Sequence, residues 1–410
     1  MKSEIHENIA QGRIKEAIDI LLKEKDSEFY DDILLLSSRY MLYKSKSNNQ
    51  LLTLEQENIS INTIVRSILS LLNNFEFKED EEETQDETIE RNEEAPTKEQ
   101  IQINTNRFSS RSPIHDAPIN KISWSNCENY ISSSSQDGKL RVWNIHENLF
   151  EVEHTIKPAR SYCTEFSPSK PICVWGTSNG YIYFYDVQKK NMNRIENVYN
   201  GRIYSCDWDE KGENLVIAGQ GGEIIFWCYD TNRKKKILPN KSDQINEIRW
   251  IHGTQLVVYG TEEGLVKVHD IHQDENILIH KIDGIVTALE WNYLYEYLAI
   301  GSSSGKVYRW HLFQHSDNIQ SFSRHYYPVT SLKFSFDHKI MATKSLDDSI
   351  VLWNSRDSKI YGSFDEKSSE SWFSGISFSK KTLNLASLTS LDKQIRITEI
   401  KRLDTAANNA

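Results

Sequence analysis

The chain has few of the features that usually mark chemistry. It carries five cysteines in 410 residues, an odd number, with no C-x-x-C pair. Cys127, Cys163, Cys173, Cys206 and Cys228 are scattered among strand-like segments, which argues against a disulfide framework or a zinc site. Buried, reduced thiols are the expectation. No apolar run approaches the ~18 residues that a membrane span requires. The start, MKSEIHENIAQG, lacks the apolar h-region of a signal peptide. A cytoplasmic protein without a membrane partner is therefore expected. There is no H-E-x-x-H, no G-x-x-x-x-G-K-[ST], and no G-x-G-x-x-G opening a helix. Gly301-Ser302-Ser303-Ser304-Gly305 matches G-x-S-x-G, but a nucleophile elbow must join a strand to a helix, and here a strand follows the turn. The sequence predicts no catalytic residue, no metal and no cofactor.

An excess of positive charge is also missing. Of the net −11, residues 76–100 supply twelve acids against three bases, and residues 1–75 eleven against nine. That leaves residues 101–410 with 36 of each sign. A body without net positive charge argues against nucleic acid as a partner. Residues 76–100, EFKEDEEETQDETIERNEEAPTKEQ, combine high charge, low hydrophobicity and no periodicity, and read as a solvated linker.

Ahead of the linker, residues 1–75 have helical periodicity. Ile14, Ala17, Ile18, Leu21 and Leu22 form one stripe, with Ile5 and Ile9 on a short preceding helix. A second helix runs through YDDILLLSSRYMLYKSK. Thr53 and Gln56 form a capping box for the last one, whose inner face would hold Leu54, Ile61, Ile64, Val65, Ile68 and Leu71. So thin a core is only marginally stable alone, which favours a face that pairs with a partner. The runs IAQGRIKEAIDILL, DILLLSSRY and EQENISINTIVRSILSLL resemble the type 11 effector-associated domain of bacterial conflict systems. The resemblance covers nearly all of residues 4–73, with Arg39 and Asn62 in its most specific pieces. It implies a small helical adaptor that joins a regulator to an effector, such as a protease, by like-with-like association.

Beyond the linker a unit recurs. HDAPINKISWSNCENYISSSSQDGKLRVWNI, from His115 to Ile145, reads as three strands with a tight turn at Asp137-Gly138. Its last-strand bulky residue recurs as Tyr185, Trp227, His269, Trp310, Trp353 and Thr398 after Trp143, at separations of 42, 42, 42, 41, 43 and 45. The first-strand aromatic recurs from Trp124 as Phe166, Trp208, Trp250, Trp291, Phe334 and Phe378, at 42, 42, 42, 41, 43 and 44. Two rulers give seven units, the period of a four-stranded propeller blade. The seventh unit lacks its outer strand, and IQINTNRFSS ahead of the first can supply it. The predicted fold is an all-β seven-bladed propeller over residues 101–402, preceded by a small all-α domain and followed by a tail, 403–410.

The units resemble WD repeats. That resemblance implies structural tetrads of His115, Ser133, Asp137 and Trp143 in the first unit and His325, Thr343, Asp347 and Trp353 in the sixth. A buried indole N–H and a buried carboxylate each need a partner, and His with Ser or Thr relays between them. The run Arg233-Lys234-Lys235-Lys236 is expected where a blade's last two strands connect. The connections between blades hold Arg160, Arg202, Tyr326, Tyr327, Trp372 and Phe373, residue types that make protein-binding hot spots. The expected function is a non-enzymatic adaptor of a prokaryotic anti-phage defence system. Its helical domain would pair with a like domain on an effector, and its propeller would hold a second protein. The alternative is a housekeeping WD-repeat scaffold.

Overall fold

The computed structural model describes residues 4–5, 8–9, 13–21, 64–65, 68, 72, 100–104, 112–238, 243–312, 319–369 and 374–403. Arg39, Asn62, the Thr53–Gln56 capping box, the acidic segment up to residue 99, Trp372, Phe373 and residues 404–410 lie outside them. Residues 1–96 group into one compact unit and the strands into another.

In the first unit, helix Ile14–Leu21 buries Ile14, Ala17, Ile18, Ile20 and Leu21. They share one cluster with Ile5, Ile64, Ile68 and Leu72, and Ile9 and Val65 pack against it. Ile64, Ile68 and Leu72 follow one another at i, i+4 and i+8, one side of a helix.

The second unit is seven antiparallel four-stranded sheets. Blade one shows the pattern: inner strand Ile119–Trp124, then Tyr130–Ser135, Lys139–Asn144 and outer strand Leu149–Thr155. The inner strands of later blades are Ser161–Phe166, Ile203–Trp208, Ile245–Ile251, Val286–Asn292, Val329–Phe334 and Ile376–Phe378. Each inner strand contacts those of the blades on either side, and the seventh contacts the first, so the ring is closed. The turns between the second and third strands carry positive φ at Gly138, Gly180, Gly222, Gly264, Gly305, Asp348 and Asp392. At Gly180 a Cβ would lie 2.0 Å from Tyr199 O, which restricts that turn to glycine.

Six inner strands carry a register shift at their second residue. A bulge there re-aims the side chain sideways. Asn120 Nδ2 accordingly donates to Ser161 O at 2.7 Å, and Asn246 Nδ2 to Val286 O at 3.2 Å, each at the start of the next blade. The basic run forms part of an outer strand, Arg233–Leu238 of blade three, and not the connection ahead of it. Arg233 to Lys235 are exposed there. Cys163, Cys173 and Cys206 are buried, whereas Cys127 is exposed in a turn and Cys228 half-buried at a strand end; the expectation of uniform burial fails for those two.

The seventh sheet takes its outer strand from the other end of the propeller. Gln100–Asn104 pairs antiparallel with Gln394–Leu403. Ile101 and Ile103 pack against the cluster of Ile340, Ile350, Leu352, Leu385 and Ile400, which spans blades six and seven. The seam holds a second device. Lys344 of blade six is fully buried, and its Nζ donates to Asp392 Oδ1 at 2.8 Å and Leu388 O at 3.0 Å. Asp392 also accepts from Ser369 N and Ser374 Oγ, each at 2.7 Å, while its carbonyl accepts Ile119 N at 2.7 Å. One turn thus ties blade six, blade seven and the chain entering blade one.

Two measurements test this seam. Lys344→Met keeps the stem but strands a buried carboxylate, and should lower the unfolding free energy by about 3–5 kcal/mol in urea titration. A loss below about 1 kcal/mol would remove the pair from the seam. Replacing Ile101 and Ile103 together by Asp should cost about 3 kcal/mol and speed amide exchange at residues 394–403 before other blades respond.

Candidate protein-binding faces

Strand alternation gives the propeller two faces. One bears the crossovers into each inner strand and the turns between second and third strands. The other bears the turns that follow each inner strand. The blade-six tetrad anchors the first face. His325 Nε2 and Thr343 Oγ1 are 2.8 Å apart, Trp353 Nε1 donates to the same Oγ1 at 2.8 Å, and His325 Nδ1 meets Asp347 Oδ2 at 3.0 Å. Asp347 Oδ2 in turn accepts Tyr326 N at 3.2 Å, which fixes the crossover. Tyr326 and Tyr327 are 82% and 61% exposed on that crossover. The Arg324 guanidinium carbon lies 6.0 Å from the Tyr326 ring centre.

Blade one is wired differently. His115 still contacts Ser133 Oγ and Asp137 Oδ2, both at 3.1 Å. Trp143, however, donates to Asn148 Oδ1 at 3.2 Å and not to Ser133. Buried Arg141 joins the group, donating to Asp137 Oδ2 at 2.8 Å and to Glu153 Oε2 at 2.6 Å, with its Nη1 against His115 Nδ1. The expected four-membered relay is here a His–Asp–Arg cluster with the indole satisfied elsewhere.

Arg160 and Arg202 are exposed on the crossovers into blades two and three. Their backbones are pinned by Ser178 and Gln220: Ser178 N donates to Arg160 O at 2.8 Å and Gln220 N to Arg202 O at 2.9 Å. A hydrogen bond with the Tyr204 hydroxyl holds the Arg202 guanidinium above its ordinary value. The arginine pair and the tyrosine pair sit on opposite parts of the ring and form no single site. Ser303, the central residue of G-x-S-x-G, lies in a strand–turn–strand, and its Oγ accepts Ile285 N at 2.8 Å.

The sequence reading missed the lining of the central channel. The residue before each inner-strand aromatic gives a ring of Ser123, Glu165, Asp207, Arg249, Glu290, Lys333 and Ser377. Three residues before three of these aromatics, and two before the ring residue on the same face of the strand, lie Lys121, Ser205 and Glu247. Lys121 Nζ of blade one meets Glu247 Oε2 of blade four at 2.7 Å, across the axis. Arg249 Nη2 lies 2.5 Å from Glu247 Oε1, its Nε 3.5 Å from Glu290 Oε2, and Lys333 Nζ 2.6 Å from the same oxygen. Lys333 and Arg249 hold the Glu290 carboxyl down to about 2 against the effect of burial. This lattice leaves a void of only about 10 Å³ on the axis, room for one water at most. Below it, toward the second face, a funnel of about 280 Å³ opens. The signal was present as a charged residue beside five of the seven aromatics, but only ring closure shows that the seven positions converge.

Burial lowers the pKa of His115, His325 and His338 and takes His311 down to about 4. Their folded values lie below the ordinary 6.5, so the unfolded chain takes up protons first as pH falls. The stability they contribute is complete above 6.5 and drains as the pH falls below it, for His311 down to about 4. The melting temperature should fall by a few degrees between pH 7 and pH 5, and a flat profile would contradict neutral burial of these rings.

Comparison with known proteins agrees with this architecture. Residues 1–76 match effector-associated domain 11. Residues 109–144, which hold the His–Asp–Arg cluster, and 316–354, which hold the tetrad, match the WD domain, G-beta repeat. Residues 174–308 match the eukaryotic translation initiation factor eIF2A model. The chain is 24% identical over 306 residues to the periodic tryptophan protein 2 homolog of Caenorhabditis elegans, covering 69% of this chain and 31% of that protein. It is 20% identical over 162 residues to the F-box-like/WD repeat-containing protein TBL1X of Mus musculus, covering 36% of this chain and 31% of that protein. The chain thus spans about a third of these relatives' length. Among the described residues no helix is long and apolar enough to cross a membrane. The chain folds into a seven-bladed β-propeller in which two segments match the WD repeat, and its amino-terminal residues match effector-associated domain 11.

Proposed function

We propose that this protein is a non-enzymatic adaptor of a prokaryotic anti-phage defence system, acting in the cytoplasm. Residues 1–75 form its adaptor domain and pair with a like domain on an effector such as a protease, with Arg39 and Asn62 at that contact. The propeller holds a second protein, a trigger, regulator or substrate, through crossover residues Arg160, Arg202, Tyr326, Tyr327, Trp372 and Phe373. The observation that carries the reading is the joining of a domain-11 match to a propeller. Tyr326 and Tyr327 support it, because Asp347 of the tetrad holds the Tyr326 N–H and Ser345 Oγ donates to Tyr327 O, while both rings stay exposed. Two rigid aromatic rings in water are the kind of group that becomes an interface anchor once covered.

A second reading is a housekeeping scaffold, and the names of the eukaryotic WD-repeat relatives favour it. Gene neighbourhood separates the two: an effector gene bearing the same helical domain supports the first, ribosomal or transport neighbours the second. The direct test is affinity purification of the full chain from its native host. Arg39→Glu should remove the partner that carries a related helical domain. Tyr326→Ala with Tyr327→Ala should remove a different partner, at least ~10-fold in recovery, with the melting temperature unchanged. Recovery of the same proteins by wild type and both variants would end the adaptor reading.

A further inference from the structure

The funnel on the second face has an uneven electrostatic floor. Arg249 and Lys333 are taken up by Glu247 and Glu290, and Lys121 by Glu247. Glu165 and Asp207, on adjacent blades two and three, have no ion pair of their own among the described residues. Glu165 accepts only Ser123 Oγ at 2.8 Å, and Asp207 only Trp250 N at 2.8 Å. Burial holds the Asp207 carboxyl above its ordinary value although the charges of Arg249 and His252 pull it down. The single further cation on the lining, Lys380 of blade seven, is exposed at the mouth.

The opposite side of the mouth is aromatic. Tyr293 and Phe336 on the turns of blades five and six are 40% and 45% exposed, and Leu294 beside them is 49% exposed. His338 packs edge-on against Tyr293, with ring centres 4.9 Å apart, and His252 lies 5.8 Å from Tyr293. The axial Lys121–Glu247 pair closes the channel above, so the funnel is a blind pocket. Its volume admits one long side chain and a few waters, not a folded surface.

We propose that this funnel is a docking site for an arginine side chain projecting from a partner protein. A guanidinium is planar, stays charged and is weakly hydrated, so it can lie on ring faces while its donors reach two carboxylates. Acids that make no salt bridge on one wall and exposed rings on the other form the complement of that group. A lysine satisfies the charge but not the planar wall. The site lies on the face opposite Tyr326 and Tyr327, and it stands whether or not those residues bind a partner.

The test uses the full chain and two small probes, N-acetyl-arginine amide and its neutral isostere N-acetyl-citrulline amide, followed by calorimetry or NMR titration. The arginine probe should bind at least ~10-fold more tightly than the citrulline probe. Glu165→Gln with Asp207→Asn should abolish that preference, the amides keeping the acceptors for Ser123 and Trp250. Tyr326→Ala with Tyr327→Ala should leave it intact. Tyr293→Ser with Phe336→Ser should weaken arginine binding severalfold at unchanged melting temperature, since both rings are half in water. Equal binding of the two probes, no binding of either, or a preference that survives Glu165→Gln/Asp207→Asn would overturn the proposal. If the carboxylate variant melts early, the Tyr293/Phe336 variant decides, and unchanged affinity there counts against the site.

Discussion

The ring of sheets depends on one five-residue strand, which completes the seventh blade from the other end of the propeller. No blade can bury both faces alone, so each depends on its neighbours, and the dependence runs round to the seam. The pairing of Gln100–Asn104 with Gln394–Leu403 covers the edge that Gln394–Leu403 would otherwise leave open. Blade seven is also the least regular copy, with Thr398 where other blades carry an aromatic. The buried Lys344–Asp392 pair compensates there, holding the turn of the weakest blade to both neighbours.

The blade count and most strand positions were legible because they depend on local, repeated chemistry. An aromatic every 42 or so residues, a Gly at positive φ and a strand-length spacing between them fix a blade without knowledge of any other. What escaped were features made by convergence. Lys121 and Glu247 are 126 positions apart, and nothing in either strand's pattern announces that they meet. The blade-one relay was misread for a related reason: Arg141 looks like an ordinary strand residue until its guanidinium is placed against His115 and Asp137. The basic run was misplaced by a few residues because lysines in an outer strand and in a turn are equally solvated.

The same economy separates rigid parts from binding parts. Buried polar groups are spent on register: Asn120 and Asn246 across blades, Asp347 on its crossover. The residues left for recognition are those whose backbones these groups fix and whose side chains no blade needs. Tyr326 meets that description on one face, and Tyr327 beside it and Tyr293 and Phe336 on the other face are exposed aromatic rings. A protein with two such faces can hold partners without their competing for surface.

The axial ion pair has a mechanical meaning as well. Blades one and four are as far apart as the ring allows, yet Lys121 and Glu247 tie them directly, and Arg249 with Glu290 and Lys333 extends the tie to blades five and six. In elastic terms the ring has a strut across one diameter. Deformation along that line is resisted by charge pairs in a low-dielectric interior, while deformation at right angles meets hydrogen bonds and side-chain packing between neighbouring blades but no such pair. The propeller is therefore not seven-fold in stiffness, though its backbone is nearly seven-fold in form, and its soft direction passes through blades two and three, where Glu165 and Asp207 have no salt bridge.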